Sequence, residues 1–233
     1  MITLEQMEAL RRYDSPTICN AMETFKIRSR VEGYLHYSIK TQFPCERPII
    51  GYAAPAKFMT SKDGKGIPLS EYFRYVQNCP EPSIAVFQDM DYPNCKAAMI
   101  GEVMATALKA VGCEACVTNG GVRDMKEVRA LNFGYFSTGV MVSHGYLRCV
   151  EYGTPVELMG TVVNPGDLLF CDDQGIVIIP ESVVAELPSA CAQVAGVEAA
   201  TLALCKEAIL YNKKLDCDKL DEIMGQYLSD IAP

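Results

Sequence analysis

Positive charge is in short supply in this 233-residue chain: 21 Lys and Arg stand against 29 Asp and Glu, a formal net charge of −8 with a pI near 4.9. Holding a phosphate backbone needs clustered cations. Here they are scattered, which argues against a nucleic-acid partner. Glycine–serine tracts, proline runs and internal repeats are also missing, so linkers and solenoids drop out. Residues 1–12 carry acidic side chains and no apolar signal core, and no apolar run reads as long enough for a bilayer. The expectation is a cytoplasmic protein with no membrane partner. Histidine is scarce as well. His36 and His144 are read as surface or packing residues rather than catalysts.

What is present is ordinary globular material, 49% hydrophobic and 21% charged, in a length that suits one core domain with trimmings. Eleven cysteines would suggest disulfides in a small secreted domain. Without a leader they are expected to be reduced thiols, acting mostly as small core hydrophobes. Cys113 and Cys116 form a Cys-x-x-Cys pair with no second pair to complete a zinc site, and they sit in a strand-like run, so they too read as core.

Apolar spacing predicts a helix over residues 3–13 and, after Asp14, Ser15 and Pro16, a second over 16–25. Strands are predicted over 49–59, 83–89, 113–117 and 135–141, and helices over 101–111, closed by Gly112, and 125–130. Residues 155–180 read as hairpin-rich, with turns at 164–167 and 172–175; from 181 onward the pattern is helical. The chain is therefore a mixed α/β domain over residues 1–185, followed by a helical arm over 186–233 that packs on its own or a neighbouring subunit.

Two segments can carry chemistry. At Gly101-Glu102-Val103-Met104 a loop enters a helix, and unpaired backbone N–H groups with the positive end of the helix dipole can seat a carboxylate. At Asn119-Gly120-Gly121-Val122-Arg123-Asp124 a strand leaves the core, and paired glycines let backbone approach a ligand. Arg123 then offers a planar fork for a carboxylate or keto oxygen. Asp124 offers a hard oxygen to Mg2+ or Mn2+, with Glu102 as its natural neighbour, since such ions use one or two carboxylates plus water and substrate oxygens. The plain alternative is an ion pair at a helix start, where Asp is favoured anyway.

These residues, in this order, resemble the signature of the RraA-like family, which includes 4-hydroxy-4-methyl-2-oxoglutarate aldolases. Asp14-Ser15-Pro16-Thr17-Ile18-Cys19-Asn20-Ala21, Val163-Asn164-Pro165-Gly166-Asp167 and Asp172-Asp173-Gln174-Gly175 extend the resemblance over roughly residues 10 to 185. It implies a swivelling β/β/α domain assembled as a homotrimer or homohexamer. It also implies a class II lyase that cleaves a small 2-oxo acid through a pyruvate enolate and decarboxylates oxaloacetate. In that reading Asp124 is the metal ligand and Arg123 contacts the pyruvate unit. Glu102 holds water at the metal, while Gly101, Val103, Met104, Asn119 and Gly120 surround the substrate. Glu198 is the candidate for an acidic residue reaching a neighbouring site. The sequence departs from the family at Asn119, where relatives carry Asp.

The rival expectation is a non-catalytic protein that binds and inhibits a ribonuclease, as do the proteins for which the family is named. Those relatives lack the aspartate after the arginine; Asp124 keeps it here. A methyltransferase is disfavoured, because no Gly-x-Gly-x-Gly loop follows an early strand.

Overall fold

The structure, a computed structural model, describes residues 2–231. They divide into two compact units, residues 33–181 and a helical unit built from the residues before 33 and those from 182 onward. In chain order the elements are α1 (Leu4–Leu10), α2 (Ser15–Glu23), β1 (Lys40–Thr41), β2 (Ile49–Met59), α3 (Leu69–Gln77), β3 (Ser83–Asp89), β4 (Ala98–Ile100), α4 (Glu102–Ala110), β5 (Cys113–Thr118), β6 (Gly121–Val122), α5 (Met125–Ala130), β7 (Gly134–Ser137), β8 (Gly139–Val140), β9 (Arg148–Tyr152), β10 (Val156–Leu158), β11 (Thr161–Val163), β12 (Leu168–Cys171), β13 (Ile176–Ile179), α6 (Leu187–Leu210) and α7 (Cys217–Ile231).

The main sheet runs β1-β7-β5-β3-β2-β12-β13, with β9 pairing the far half of β2. Its centre, β2-β3-β5-β7, is parallel and is crossed over by α3, α4 and α5. Strands covered on both faces read as continuous apolar runs, which is why Ser83–Asp89 and Cys113–Thr118 lack polar alternation. Ala85, Phe87, Cys116 and Tyr135 point to the helical side, where Phe58, Tyr72 and Leu108 join them. Ile84, Val86, Ala115, Val117 and Phe136 point to the other face, where Val156, Leu158 and Val163 of the β10–β11 hairpin cover them. Cys113 lies within the first of these layers. Its Sγ accepts from the Ala85 N–H at 3.2 Å, and burial pushes the thiol up to about 11, so it behaves as core rather than as a metal or redox group.

A second, small sheet positions the site. Each of β3, β5 and β7 is followed in the chain by a short strand, β4 after an eight-residue turn and β6 and β8 almost at once, and these three pair in parallel as β4-β6-β8. Two of the three short strands run directly into a helix: β4 into α4 and β6 into α5. The strand expected over 135–141 is accordingly two strands in two sheets, because Thr138 turns the chain between them.

Local signals hold where local chemistry sets them. Asp14 Oδ1 accepts from Thr17 N–H at 3.0 Å to cap α2, with Pro16 in the first turn. Gly112, at φ +86°, ends α4 in a backbone conformation that favours glycine. Asp172 Oδ1 accepts from Gln174 and Gly175 N–H to close the β12–β13 hairpin.

In the helical unit, α1 and α2 pack on α6, and α6 packs on α7. The first 32 residues thus group with the C-terminal helices, whereas the sequence had suggested that they belong with the sheet. Apolar Leu10, Ile18, Ala21 and Met22 find buried places in this helical unit, as do Leu187, Cys191 and Val194 of α6. By length and composition α6 is also long and apolar enough to cross a membrane, which corrects the expectation that no run is. Within its own unit, Glu198 of α6 accepts from Asn20 Nδ2 at 3.1 Å.

Candidate active site

The two chemistry-bearing segments of the sequence occupy adjacent strand-to-helix junctions. Arg123 N–H donates to Ile100 O at 3.1 Å, tying the end of β6 to the end of β4. Gly101 is the N-cap of α4 and has no side chain with which to cap it. Asp124 does so instead: its Oδ2 accepts from Glu102 N–H at 2.8 Å. In the first turn of α4 the Ala105 N–H bonds back to Gly101 O, which leaves the Val103 and Met104 N–H groups without partners inside the helix.

Asp124 reaches across because its backbone is left-handed, φ +60° and ψ +47°, an unfavourable setting for a non-glycine residue. Although it occupies the N-cap position of α5, its side chain makes no capping bond there. The ion pair at a helix start is present, with Arg123 Nε 3.5 Å from Asp124 Oδ2, but the carboxylate serves the neighbouring helix. Among the described residues nothing bonds Oδ1, and the Asp124 side chain is 36% exposed. Gly101 makes the room. A Cβ there would lie 2.4 Å from Asp124 Oδ2 and 2.8 Å from Arg123 Nε.

Gly101, Val103, Met104 and Arg123 line a cavity of about 230 Å3 whose other walls include Leu69 and Phe73 of α3, Leu147 and His144. His144, set aside in the sequence, is thus a wall residue. Its Nδ1 lies 2.9 Å from Gly145 O, a carbonyl that can only accept, so Nδ1 donates there. Glu102, Asn119, Gly120 and Asp124 are not among the residues lining this cavity. Glu102 is exposed at the first position of α4.

Asn119 is buried, and its amide is committed elsewhere. Its Oδ1 accepts from Asp89 N–H at 2.7 Å and its Nδ2 donates to Asp89 O at 3.4 Å, so it clamps the ends of β5 and β3 together and does not point to substrate. Gly120 is buried too, with Met99 and Asp89 Oδ2 filling the space a side chain would need. The Asp89 carboxyl is raised above the ordinary carboxylate range, chiefly by burial, and its Oδ2 has no hydrogen-bond partner. An acid whose folded pKa is raised contributes its stability below the ordinary range and loses it as pH climbs through the folded value. Asn119→Asp would break the bond to Asp89 O and add a second acid beside this one. It is expected to cost about 1–3 kcal/mol at pH 7, with the deficit shrinking toward pH 4. Urea melts of both proteins at the two pH values measure this; a deficit independent of pH would exclude the charge argument.

Below the Arg123–Asp124 pair lies Tyr135, fully buried, its hydroxyl without a hydrogen-bond partner. Burial raises its pKa most, the nearby Asp124 carboxylate raises it further, and Arg123 opposes them. Glu198, the candidate arm residue, lines an apolar groove of the helical unit with Val194, Val197 and Met224.

A parallel-centred α/β unit with a small second sheet, whose strands deliver an arginine and an aspartate to helix starts, defines a swivelling β/β/α domain. The chain belongs to the RraA-like family: the family's profile, described as Aldolase/RraA, matches residues 15–178. Protein DlpA of Legionella pneumophila is 26% identical over 60% of this chain and 22% of its own length. Proteins bearing the name "Putative 4-hydroxy-4-methyl-2-oxoglutarate aldolase" from Halalkalibacterium halodurans and Shewanella oneidensis are 28% and 29% identical over 38% of this chain. Those matches span 42% and 54% of their lengths, so this chain covers about half or less of each of these curated relatives. Among solved structures, Streptomyces coelicolor RraAS2, described as an unusual member of the RNase ES inhibitor RraA family, superposes with a TM-score of 0.69. It is 22% identical, over 85% of this chain and 96% of that one. An uncharacterized Pseudomonas syringae protein gives 0.70 at 22% identity, over 97% and 95%. At such identities these likenesses speak for the fold alone.

Proposed function

We propose that this chain is a divalent-metal-dependent carbon–carbon lyase that cleaves a small 2-oxo acid through a pyruvate enolate and also decarboxylates oxaloacetate. The observation that carries this reading is the disposition of Asp124: one oxygen anchored on the α4 amide, the other free, beside an arginine in a cavity wall. The names of the aldolase relatives support the same class.

The residues fit a hard divalent cation. No cluster of three ligating side chains occurs among the described residues. Magnesium-type sites nevertheless need only one or two carboxylates, with water and substrate completing the shell, and the free Asp124 Oδ1 meets that need. When bound, Mg2+ or Mn2+ would act as a Lewis acid toward the 2-oxo group. The rest falls to the chain. The Val103 and Met104 amides at the positive end of α4 seat the substrate carboxylate. Arg123 places a fixed positive donor where negative charge grows on the oxo oxygen, so it strengthens its hold as the enolate forms. Glu102, exposed beside them, is the carboxylate available to carry protons. Asn119 and Gly120 act one step back, holding the turn that aims Arg123 and Asp124.

The same reading places the protein in the cytoplasm as a homotrimer or homohexamer. Apolar surface near the site supports an assembly: Val103, Val140 and Val142 are 85%, 58% and 94% exposed. Pyruvate release from oxaloacetate by purified protein, with Mn2+ and with chelator, tests the activity. The expected result is release well above the metal-only rate that chelator removes. Release no faster than metal alone overturns the proposal.

A further inference from the structure

We infer that His144 is a catalytic residue, the base that takes the proton from the 4-hydroxyl of a 4-hydroxy-2-oxo acid as its C3–C4 bond breaks. This rests on the lyase reading and deepens it at the same cavity. The carboxylate of such a substrate is held at the Val103 and Met104 amides and its oxo oxygen by Arg123, so C4 and its hydroxyl extend along the rest of the wall, where His144 stands. Arg123 stays protonated throughout. Among the described side chains that line the cavity, His144 is the one that both takes and gives up a proton. Glu102 lies outside that lining.

The loop around His144 is tied down on several sides. Ser143 O accepts from Ala98 N–H at 2.7 Å, which joins the loop to the start of β4, and Thr60 O accepts from Tyr146 N–H at 3.0 Å. Ser143 Oγ accepts from Gly145 N–H at 3.1 Å, and Leu147 N–H closes a turn onto His144 O at 3.0 Å. Gly145, at φ +48°, lets the chain pass close to Thr60 O and Ala97, which a Cβ would meet at 2.8 and 2.9 Å. With the backbone pinned, the bond from Nδ1 to Gly145 O orients the ring and leaves Nε2 as the atom that exchanges a proton. Nδ1 donates whether the ring is neutral or charged. Only Nε2 changes, from acceptor to donor, as a group that takes a proton and later releases it requires. His144 is also exposed, so water can collect that proton between turnovers.

In the step so assigned the hydroxyl proton passes to Nε2, the C3–C4 bond breaks with its electron pair moving to C3, and C4 becomes an aldehyde or ketone. C3 then takes one proton to complete pyruvate, the transfer for which Glu102 is available, and Nε2 returns its proton to water. No oxidant or reductant is needed. Oxaloacetate differs at one point: its C4 leaves as carbon dioxide and has no hydroxyl proton to lose. The two reactions share the enolate and diverge in their need for a base.

The test compares pyruvate release by the full chain with Mn2+ from 4-hydroxy-4-methyl-2-oxoglutarate and from oxaloacetate, in the wild type and in His144→Gln. The expected result is a fall in kcat for the hydroxy acid about 10²-fold greater than the fall for oxaloacetate, the contribution of a positioned base. KM for the hydroxy acid is expected to stay within about twofold of the wild type, because the lost interaction belongs to the transition state. Equal losses on the two compounds, or no loss on either, overturn this inference alone. So does a wild type that decarboxylates oxaloacetate and leaves the hydroxy acid intact. No pyruvate from either compound overturns the lyase reading and this inference with it.

Discussion

Asp124→Asn is expected to lose metal-dependent pyruvate release by about 10³-fold, the several kcal/mol that a Lewis acid contributes at a developing enolate, while the protein stays folded. The substitution separates two duties. An asparagine oxygen can still accept the Glu102 N–H bond now made at 2.8 Å, so the start of α4 keeps its cap. The anionic oxygen that would hold a cation is gone. Thermal melting checks the first duty, and turnover across a manganese titration checks the second. Unchanged turnover with unchanged melting would remove Asp124 from the chemistry and return it to the role of a cap.

Gly101→Ala is expected to reduce turnover by about 10²-fold, the loss that accompanies an ångström-scale misplacement of catalytic groups. The backbone of Gly101 is extended, at φ −139°, so alanine suffers no conformational penalty there. The objection is steric: the new methyl would sit 2.4 Å from Asp124 Oδ2 and 2.8 Å from Arg123 Nε, and both must move. Because Asp124 leaves, the Glu102 amide loses its acceptor as well. The same variant is expected to melt lower by the equivalent of about 1 kcal/mol, a typical lost cap. Full activity in Gly101→Ala would mean that the carboxylate can work from another position.

The main strands and the two helices beside the site were legible because their signals are local. β2, β3 and α5 fall where apolar runs and breakers put them, at Ile49–Met59, Ser83–Asp89 and Met125–Ala130. α3 was passed over, although Leu69, Tyr72, Phe73 and Val76 carry a helical spacing that could have found it. The strands β4, β6 and β8 are two or three residues long and leave no periodicity to read. Arg123 and Asp124 were visible as a pair, but the direction of the carboxylate was not: a left-handed Asp124 and a bond to an amide 22 residues earlier are tertiary facts. Asn119 illustrates the same limit, since Asp89, thirty residues away, decides what its amide does. His144 joins the cavity wall through a loop that no pattern in the sequence marks.

The alternation of long strand, short strand and helix occurs twice in full, at β3-β4-α4 and β5-β6-α5, and the third copy breaks off after β8. In place of a third helix the chain runs through residues 141–147 before β9, and this stretch brings His144 and Leu147 to the cavity. The two complete copies own the residues proposed to handle the pyruvate head, while α3 and the truncated copy supply Leu69, Phe73, His144 and Leu147 to the same cavity wall. Changes confined to that loop and to one helix can therefore reshape the cavity while leaving the two strand-to-helix junctions untouched.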